Sequence, residues 1–286
     1  AKSGKSITSA SIQAPGIEKR DIIKTGVFEF GHVAKIMTIA AGLESGVITP
    51  KSKLDARQPL KIGPYTIDDK NPQRRILSSE EVAIYSSNIG AAKIGLKLGG
   101  PYQALFQRSL GMREKIENGG EPIFAQNPKE VTVAANAFGH GFAVSPLHVV
   151  SAFATLTNPD GRLIRPSANL NVRDAGLSIV SPETSAEIGK ILRMNVEIGA
   201  AKVVDVKGLQ VGAMTATSEK VKDGRYLLDH VVTSTVAVIP YYDPKYVIMT
   251  MLDDPSTADG EEYKTAAWNS GKVLGEILRE GYSYLK

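Results

Sequence analysis

The sequence has no cysteine among its 286 residues. Disulfide staples, thiolate nucleophiles and cysteine-based metal sites are therefore excluded, while the compartment stays open. No run of about 18 apolar residues occurs, so no segment reads as a membrane span. The opening AKSGKSITSASIQAP is not a secretory leader, and any membrane anchor is expected to lie outside this sequence. Internal repeats and low-complexity tracts are also missing. Charge of one sign is scarce too: the net charge is +4, with Lys and Arg interleaved with Asp and Glu. That argues against a nucleic-acid stripe. A mildly basic surface fits proximity to an anionic membrane or polymer and, more commonly, plain solvation.

What is present is an ordinary globular composition. Hydrophobic residues make up 42% and charged residues 22%, which excludes disorder and fibrous repeats and allows a substantial core in one large domain or two smaller ones. KSITSASIQAP, at 5–15, alternates small polar residues with Ile7, Ala10 and Ile12 and is expected to form a first strand, after a turn at Lys2-Ser3-Gly4. Ile36, Ile39, Ala40, Leu43 and Val47 recur at helical spacing, so a helix is expected to run from Lys35 to about Ser45 and stop at Gly46. His32 and Lys35 share a face at its opening turn. The Pro-, Gly- and Asp-rich segment from Ala56 reads as strand and turn pieces on a surface excursion. Ser78 and Glu81 make a capping-box signature. A second helix is expected from about Ile89 to Leu98, ending at Gly99-Gly100, so Ser86, Ser87 and Asn88 fall at a helix junction.

From Val131 helical stretches alternate with glycine-rich turns. Three β-rich runs, VKGLQVGAMTATSEK, LLDHVVTSTVAVIP and KYVIMTMLDD, then suggest an antiparallel meander, turning at Lys222-Asp223-Gly224 and Tyr242-Asp243-Pro244. A last helix is expected over about 265–278, packing through Ala267, Val273, Leu274 and Ile277. This order implies an α+β body whose sheet is closed by elements from both ends of the chain. An α/β lobe would comprise about 1–50 and 200–286, and a mainly helical lobe about 51–199.

Several segments together resemble the transpeptidase domain of class B penicillin-binding proteins, most closely the septal, FtsI-type division branch. GVFEFGHVAKIMTIAAGLESG is similar to the nucleophile helix, IYSSNIGAAKIG to the second catalytic motif, and AFGHGFAVSPLHVVSAFATLTNPDGRLIRP to the signature helix that follows. VGAMTATSEK, YVIMTMLDDP and TAAW resemble the third motif, the next strand and the start of the last helix. The resemblance runs from end to end. It implies one domain over 1–286 with the fold of penicillin-binding proteins and serine β-lactamases: an antiparallel sheet flanked by helices, plus a mostly helical lobe. By resemblance, the anchor and any pedestal domain lie outside this sequence, and the location is the periplasmic face of the bacterial inner membrane.

The superfamily motifs are Ser-x-x-Lys, Ser-Asp-Asn and Lys-Thr-Gly. In the division branch the second is Ser-x-Asn, and Ser86-Ser87-Asn88 fits it. The first does not fit, because His32 stands where the nucleophilic serine belongs while Lys35 keeps the base position. The third reads Met214-Thr215-Ala216: Met214 deletes the cation that attracts the substrate's terminal carboxylate, Thr215 keeps the hydroxyl, and Ala216 puts a methyl where glycine lets the substrate lie close. A true Lys-Thr-Gly at Lys24-Thr25-Gly26 precedes the nucleophile helix and reads as a turn.

A transpeptidase needs a hydroxyl that attacks a peptide carbonyl and a base within hydrogen-bond reach. Losing such a nucleophile costs on the order of a million-fold in turnover, and losses within one catalytic unit do not add. Two motifs altered together thus read as natural abandonment, since an engineered knockout usually changes one residue to Ala. An acyl-imidazole on His32 would be labile, and His140, His148 and His230 show no metal-ligand spacing with it. His32 is expected to fill or hydrogen-bond across a disused cleft, and no metal or cofactor is expected. Ser86 and Asn88 read either as remnants of proton relay and substrate orientation or as local helix caps. His140, in the tight FGHGF turn, is expected to be hydrogen-bonded and structural. Substrate contacts, where retained, would fall to Ser86, Asn88, Thr215 and Thr217. The expected function is a pseudo-transpeptidase that scaffolds or regulates peptidoglycan synthesis and division, with proteins of that machinery as partners and peptidoglycan stem peptide as a further candidate ligand. The alternative is a residual D,D-transpeptidase or a binder of β-lactams or stem peptides, using an unexpected nucleophile such as Ser86.

Overall fold

The computed structural model describes residues 9–12, 21–117, 119–165, 177–222, 225–257 and 264–286. α1 (Ile22–Thr25) is one turn, with Gly26 as its extended C-cap. The misplaced Lys24-Thr25-Gly26 is therefore a helix end outside the sheet. A 3-10 turn, Gly31–Ala34, runs directly into α2 (Lys35–Glu44), in which Lys35 through Gly42 are all buried. A helix apolar on every side belongs in the centre of a core. α2 stops as expected, at Ser45 followed by Gly46 at φ 73°.

The excursion after it is built of two small hairpin-like pairs. β1 (Lys53–Asp55) pairs antiparallel with β4 (Ile76–Ser78), and β2 (Leu60–Ile62) pairs with β3 (Tyr65–Ile67) around Gly63. Ser78 opens α3 (Ser79–Ile84) with the expected capping box: its hydroxyl accepts the Glu81 N–H while Glu81 accepts the Ser78 N–H. α4 (Asn88–Ser109) breaks at Gly99, at φ 75° and ψ 158°. Its first half ends where the glycine pair predicts. A second half then restarts through Pro101, near its beginning, where a missing N–H costs nothing. β5 (Ile123–Phe124) pairs with β6 (Phe142–Ala143), with α5 (Glu130–Asn136) between them. α6 (Pro146–Thr157) and α7 (Pro182–Glu197) follow, each led by a serine N-cap and a proline.

The meander is as expected: β7 (Gly212–Lys222), β8 (Arg225–Ile239) and β9 (Tyr246–Asp253) form an antiparallel sheet in that order. Thr215, Thr235 and Thr250 lie in register across it. Successive side chains alternate faces. Met214, Ala216, Val236 and Val238 join the main core with α2, α4, α6 and α7. Val211, Ala213, Ala237 and Ile239 form a second core with Leu274 and Leu278 of α8 (Ser270–Glu280). α9 (Tyr282–Leu285) ends the chain's described structure.

Two expectations are corrected. Residues 9–12 are exposed and outside any strand, while the rest of the expected 5–15 strand and the turn at Lys2-Ser3-Gly4 lie outside the described residues. The sheet of the described residues is thus three-stranded, with all its strands from the C-terminal part of the chain. The last helix begins at Ser270, not 265, and its inward face is Gly271, Leu274, Gly275 and Leu278. Val273 and Ile277, expected to pack, are 41% and 45% exposed, because Gly271 and Gly275 instead form the inner face, their backbone lying close against Val203. Asp223 and Gly224 of the expected turn lie outside the described residues. Leu274→Ala should cost about 2–5 kcal/mol, whereas Ile277→Ala should stay within about 0.5 kcal/mol. Urea unfolding midpoints of the two variants check this, and equal losses would contradict the assigned face.

Candidate functional site

The 3-10 turn sets the site. Residues three apart eclipse in this geometry, which aligns His32 with Lys35 at the entrance of α2. Two glycines make the close fit possible. Gly31, at φ 45°, donates its N–H to the Gly139 carbonyl at 3.2 Å. A Cβ on Gly139, at φ 86°, would sit 2.0 Å from the Gly31 carbonyl oxygen, and one on Gly31 would sit 2.5 Å from Ser218 Oγ of β7. The turn carrying His32 is therefore pressed between the FGHGF loop and the third-motif strand.

Lys35 is fully buried. Its Nζ lies 2.5 Å from the Ser86 carbonyl oxygen and 3.0 Å from Ser86 Oγ. Burial holds this amine well below the usual lysine range, opposed by the charge of Asp69. Ser86 follows the C-terminal end of α3 at φ 55°. For a residue other than glycine that conformation costs on the order of 1 kcal/mol.

The helix-cap reading belongs to the neighbour of Ser86. Ser87 caps α4, its hydroxyl accepting the Gly90 N–H at 3.0 Å and donating to Asp69 at 2.8 Å. Asp69 also accepts the Ile89 N–H at 2.9 Å. Asn88 holds the turn by donating to the Asp68 carbonyl at 3.0 Å, and its Oδ1 is buried without a partner. Asp69 was not legible beforehand, since a carboxylate in a turn-rich segment reads as solvated. Among the described residues none hydrogen-bonds the His32 ring, which is half-buried. Burial of the imidazole, then the charges of Lys35, His140 and Lys70, push its pKa well below the ordinary value. Both effects favour the neutral imidazole.

The third motif lies on β7 with its residues split between faces. Met214 is buried, and its Sδ accepts from Asn195 Nδ2 at 3.4 Å. Ala216 is buried on the same face, and Thr215 is buried on the other. Thr217 Oγ1 accepts the Ala266 N–H at 2.9 Å, so this expected substrate contact has a structural partner. His140 is a correction in part: its Nδ1 is buried and unpartnered, and its ring packs on Phe138 at 5.1 Å and Tyr226 at 5.7 Å. Glu29 ties these elements together, accepting from the Gly141 N–H at 2.9 Å and from Tyr226 Oη at 3.1 Å. A cavity of about 190 Å³ lies elsewhere, lined by Glu114, Lys115, His148 and Arg165 among others.

The three motif segments are thus neighbours: Lys35 bonds Ser86, and the turn carrying His32 abuts Ser218 of β7. The family described as "Penicillin binding protein transpeptidase domain" matches residues 6–277. The chain belongs to that family. It is 34% identical over 270 residues to the probable peptidoglycan D,D-transpeptidase FtsI of Caulobacter vibrioides, covering 88% of this chain and 46% of the relative. It is 29% identical over 291 residues to the stage V sporulation protein D of Bacillus subtilis, covering 93% and 44%. The chain thus spans about half the length of these curated relatives. Its fold matches that of the apo transpeptidase domain of Burkholderia pseudomallei penicillin-binding protein 3, with a TM-score of 0.84 at 23% identity, over 93% of this chain and 82% of that one.

A histidine kept neutral in the folded protein binds fewer protons than in the unfolded one once pH drops below about 6.5. Stability present above that pH is lost as pH falls, by up to about 1.4 kcal/mol per pH unit for one such group. His32→Gln should flatten the decline in urea midpoint between pH 7.5 and 5.5. An unchanged slope in that variant contradicts the lowered imidazole pKa.

Proposed function

We propose that this domain is a pseudo-transpeptidase, retained as a scaffolding or regulatory part of peptidoglycan synthesis and cell division. The observation that carries the reading is His32: where the family attacks a peptide carbonyl with a hydroxyl, this chain presents an imidazole. Lys35, the base position, bonds the carbonyl and hydroxyl of Ser86. The docking side fails as well. A lysine at the third motif would offer its charge to a substrate carboxylate, but Met214 is buried and partnered by Asn195. The methyl of Ala216 shares that face.

The resemblance to FtsI-type relatives supports a place at the periplasmic face of the inner membrane, held there by an anchor outside this sequence. The partners are proteins of the division and peptidoglycan-synthesis machinery, such as membrane glycosyltransferases. A second reading, noncovalent binding of stem peptides, is favoured by the unpartnered Oδ1 of Asn88 in the second motif. Calorimetric titration with stem peptides separates the two, a flat trace leaving the scaffold alone.

Incubation with a labelled penicillin should leave the intact mass unchanged. A stoichiometric acyl adduct sinks the reading. His32→Ser alone should still label slowly, because Met214 and Ala216 leave the substrate undocked; rapid labelling of that single variant would show the docking argument to be wrong.

A further inference from the structure

We propose that Ser86 and Lys35 form a serine–lysine dyad in which the second motif supplies the nucleophile, reactive toward small neutral electrophiles with good leaving groups. This goes beyond the pseudo-transpeptidase reading, which concerns carboxylate-bearing substrates and an ester at position 32.

Three observations carry it. The Lys35 amine lies 3.0 Å from Ser86 Oγ and 2.5 Å from the Ser86 carbonyl oxygen. The amine donates to both the Ser86 carbonyl and Ser86 Oγ; once it is neutral, the same short distance lets its lone pair take the Ser86 hydroxyl proton. Lys35 is fully buried, and burial favours that neutral form. Ser86 holds φ 55° just beyond the end of α3, the place where helices prefer glycine. A serine in that conformation brings nothing to the helix end that glycine lacks, whereas its hydroxyl meets the buried base. The Ser86 residue is half-buried, unlike Lys35, so the hydroxyl side of the pair is the one nearer solvent.

The reaction balances without a cofactor. Ser86 Oγ attacks the phosphorus of a fluorophosphonate, the Oγ–P bond forms, the P–F bond breaks and fluoride leaves, while the Ser86 proton passes to Lys35 Nζ. With an activated ester the same attack at the carbonyl expels the alcohol. Met214 removes the cation that would dock an anionic substrate, which confines the reagents to uncharged ones.

The test is incubation with diisopropyl fluorophosphate, followed by intact-mass measurement and peptide mapping. The expected result is one adduct on Ser86, formed faster as pH rises until the lysine is fully neutral. Ser86→Gly removes the hydroxyl while relieving the backbone conformation, so it should remain folded and unlabelled. Lys35→Met should label about a hundredfold more slowly, the usual contribution of a positioned base. No adduct, an adduct surviving Ser86→Gly, equal rates in Lys35→Met, or a flat pH profile each overturns the dyad. A penicillin adduct sinks the pseudo-transpeptidase reading whatever the fluorophosphonate does, and a missing fluorophosphonate adduct sinks only the dyad, so the two failures are distinguishable.

Discussion

The groove is organised by one buried amine. Lys35 sits at the start of the central helix with no exposed surface, and its contacts with the carbonyl and hydroxyl of Ser86 join α2 to the α3–α4 junction. A buried ammonium without a counter-ion in contact costs several kcal/mol; deprotonation is the cheaper solution, and a neutral amine still satisfies the serine backbone. The rest of the second motif follows from this anchor: Ser87 and the Ile89 N–H fix on Asp69, and Asn88 fixes on the Asp68 carbonyl. Retention of Lys35 and the second motif in a chain with a changed nucleophile position therefore has a structural cause.

The third motif shows the other half of the change. On β7, side chains alternate between a core shared with α7 and a face toward α8. A lysine at position 214 must reach out of the core toward the groove. Methionine is apolar and flexible, so it stays where its surroundings are apolar and its sulfur meets Asn195. On the proposed reading no acyl group is made at position 32, and nothing in the chemistry opposes this arrangement. The contact of the Gly31 turn with Ser218 closes the two sides of the groove on each other.

Much of this was legible in the chain. The capping box at Ser78, the stop at Gly99 and the three-strand meander each rest on local chemistry that tertiary structure did not override. The motif positions were legible because their order and residue types are specific. Other features were not. The packing face of α8 was misassigned because Val273 and Ile277 look like core residues, while the glycines that set the inner face carry no hydrophobic signal. Asp69, Glu29 and Tyr226 act through partners far away in sequence, Glu29 and Tyr226 being 197 residues apart. The cap that was one of two readings of Ser86 falls to Ser87 one residue on.

The account turns on the protonation of Lys35, which direct observation of lysine side-chain nitrogens by NMR in an isotope-labelled sample can read. One amine should titrate below the others and shift when Ser86 is changed to glycine. If every lysine resonance stays charged until the ordinary range above pH 10, the buried neutral amine, and the groove built around it, does not exist as described.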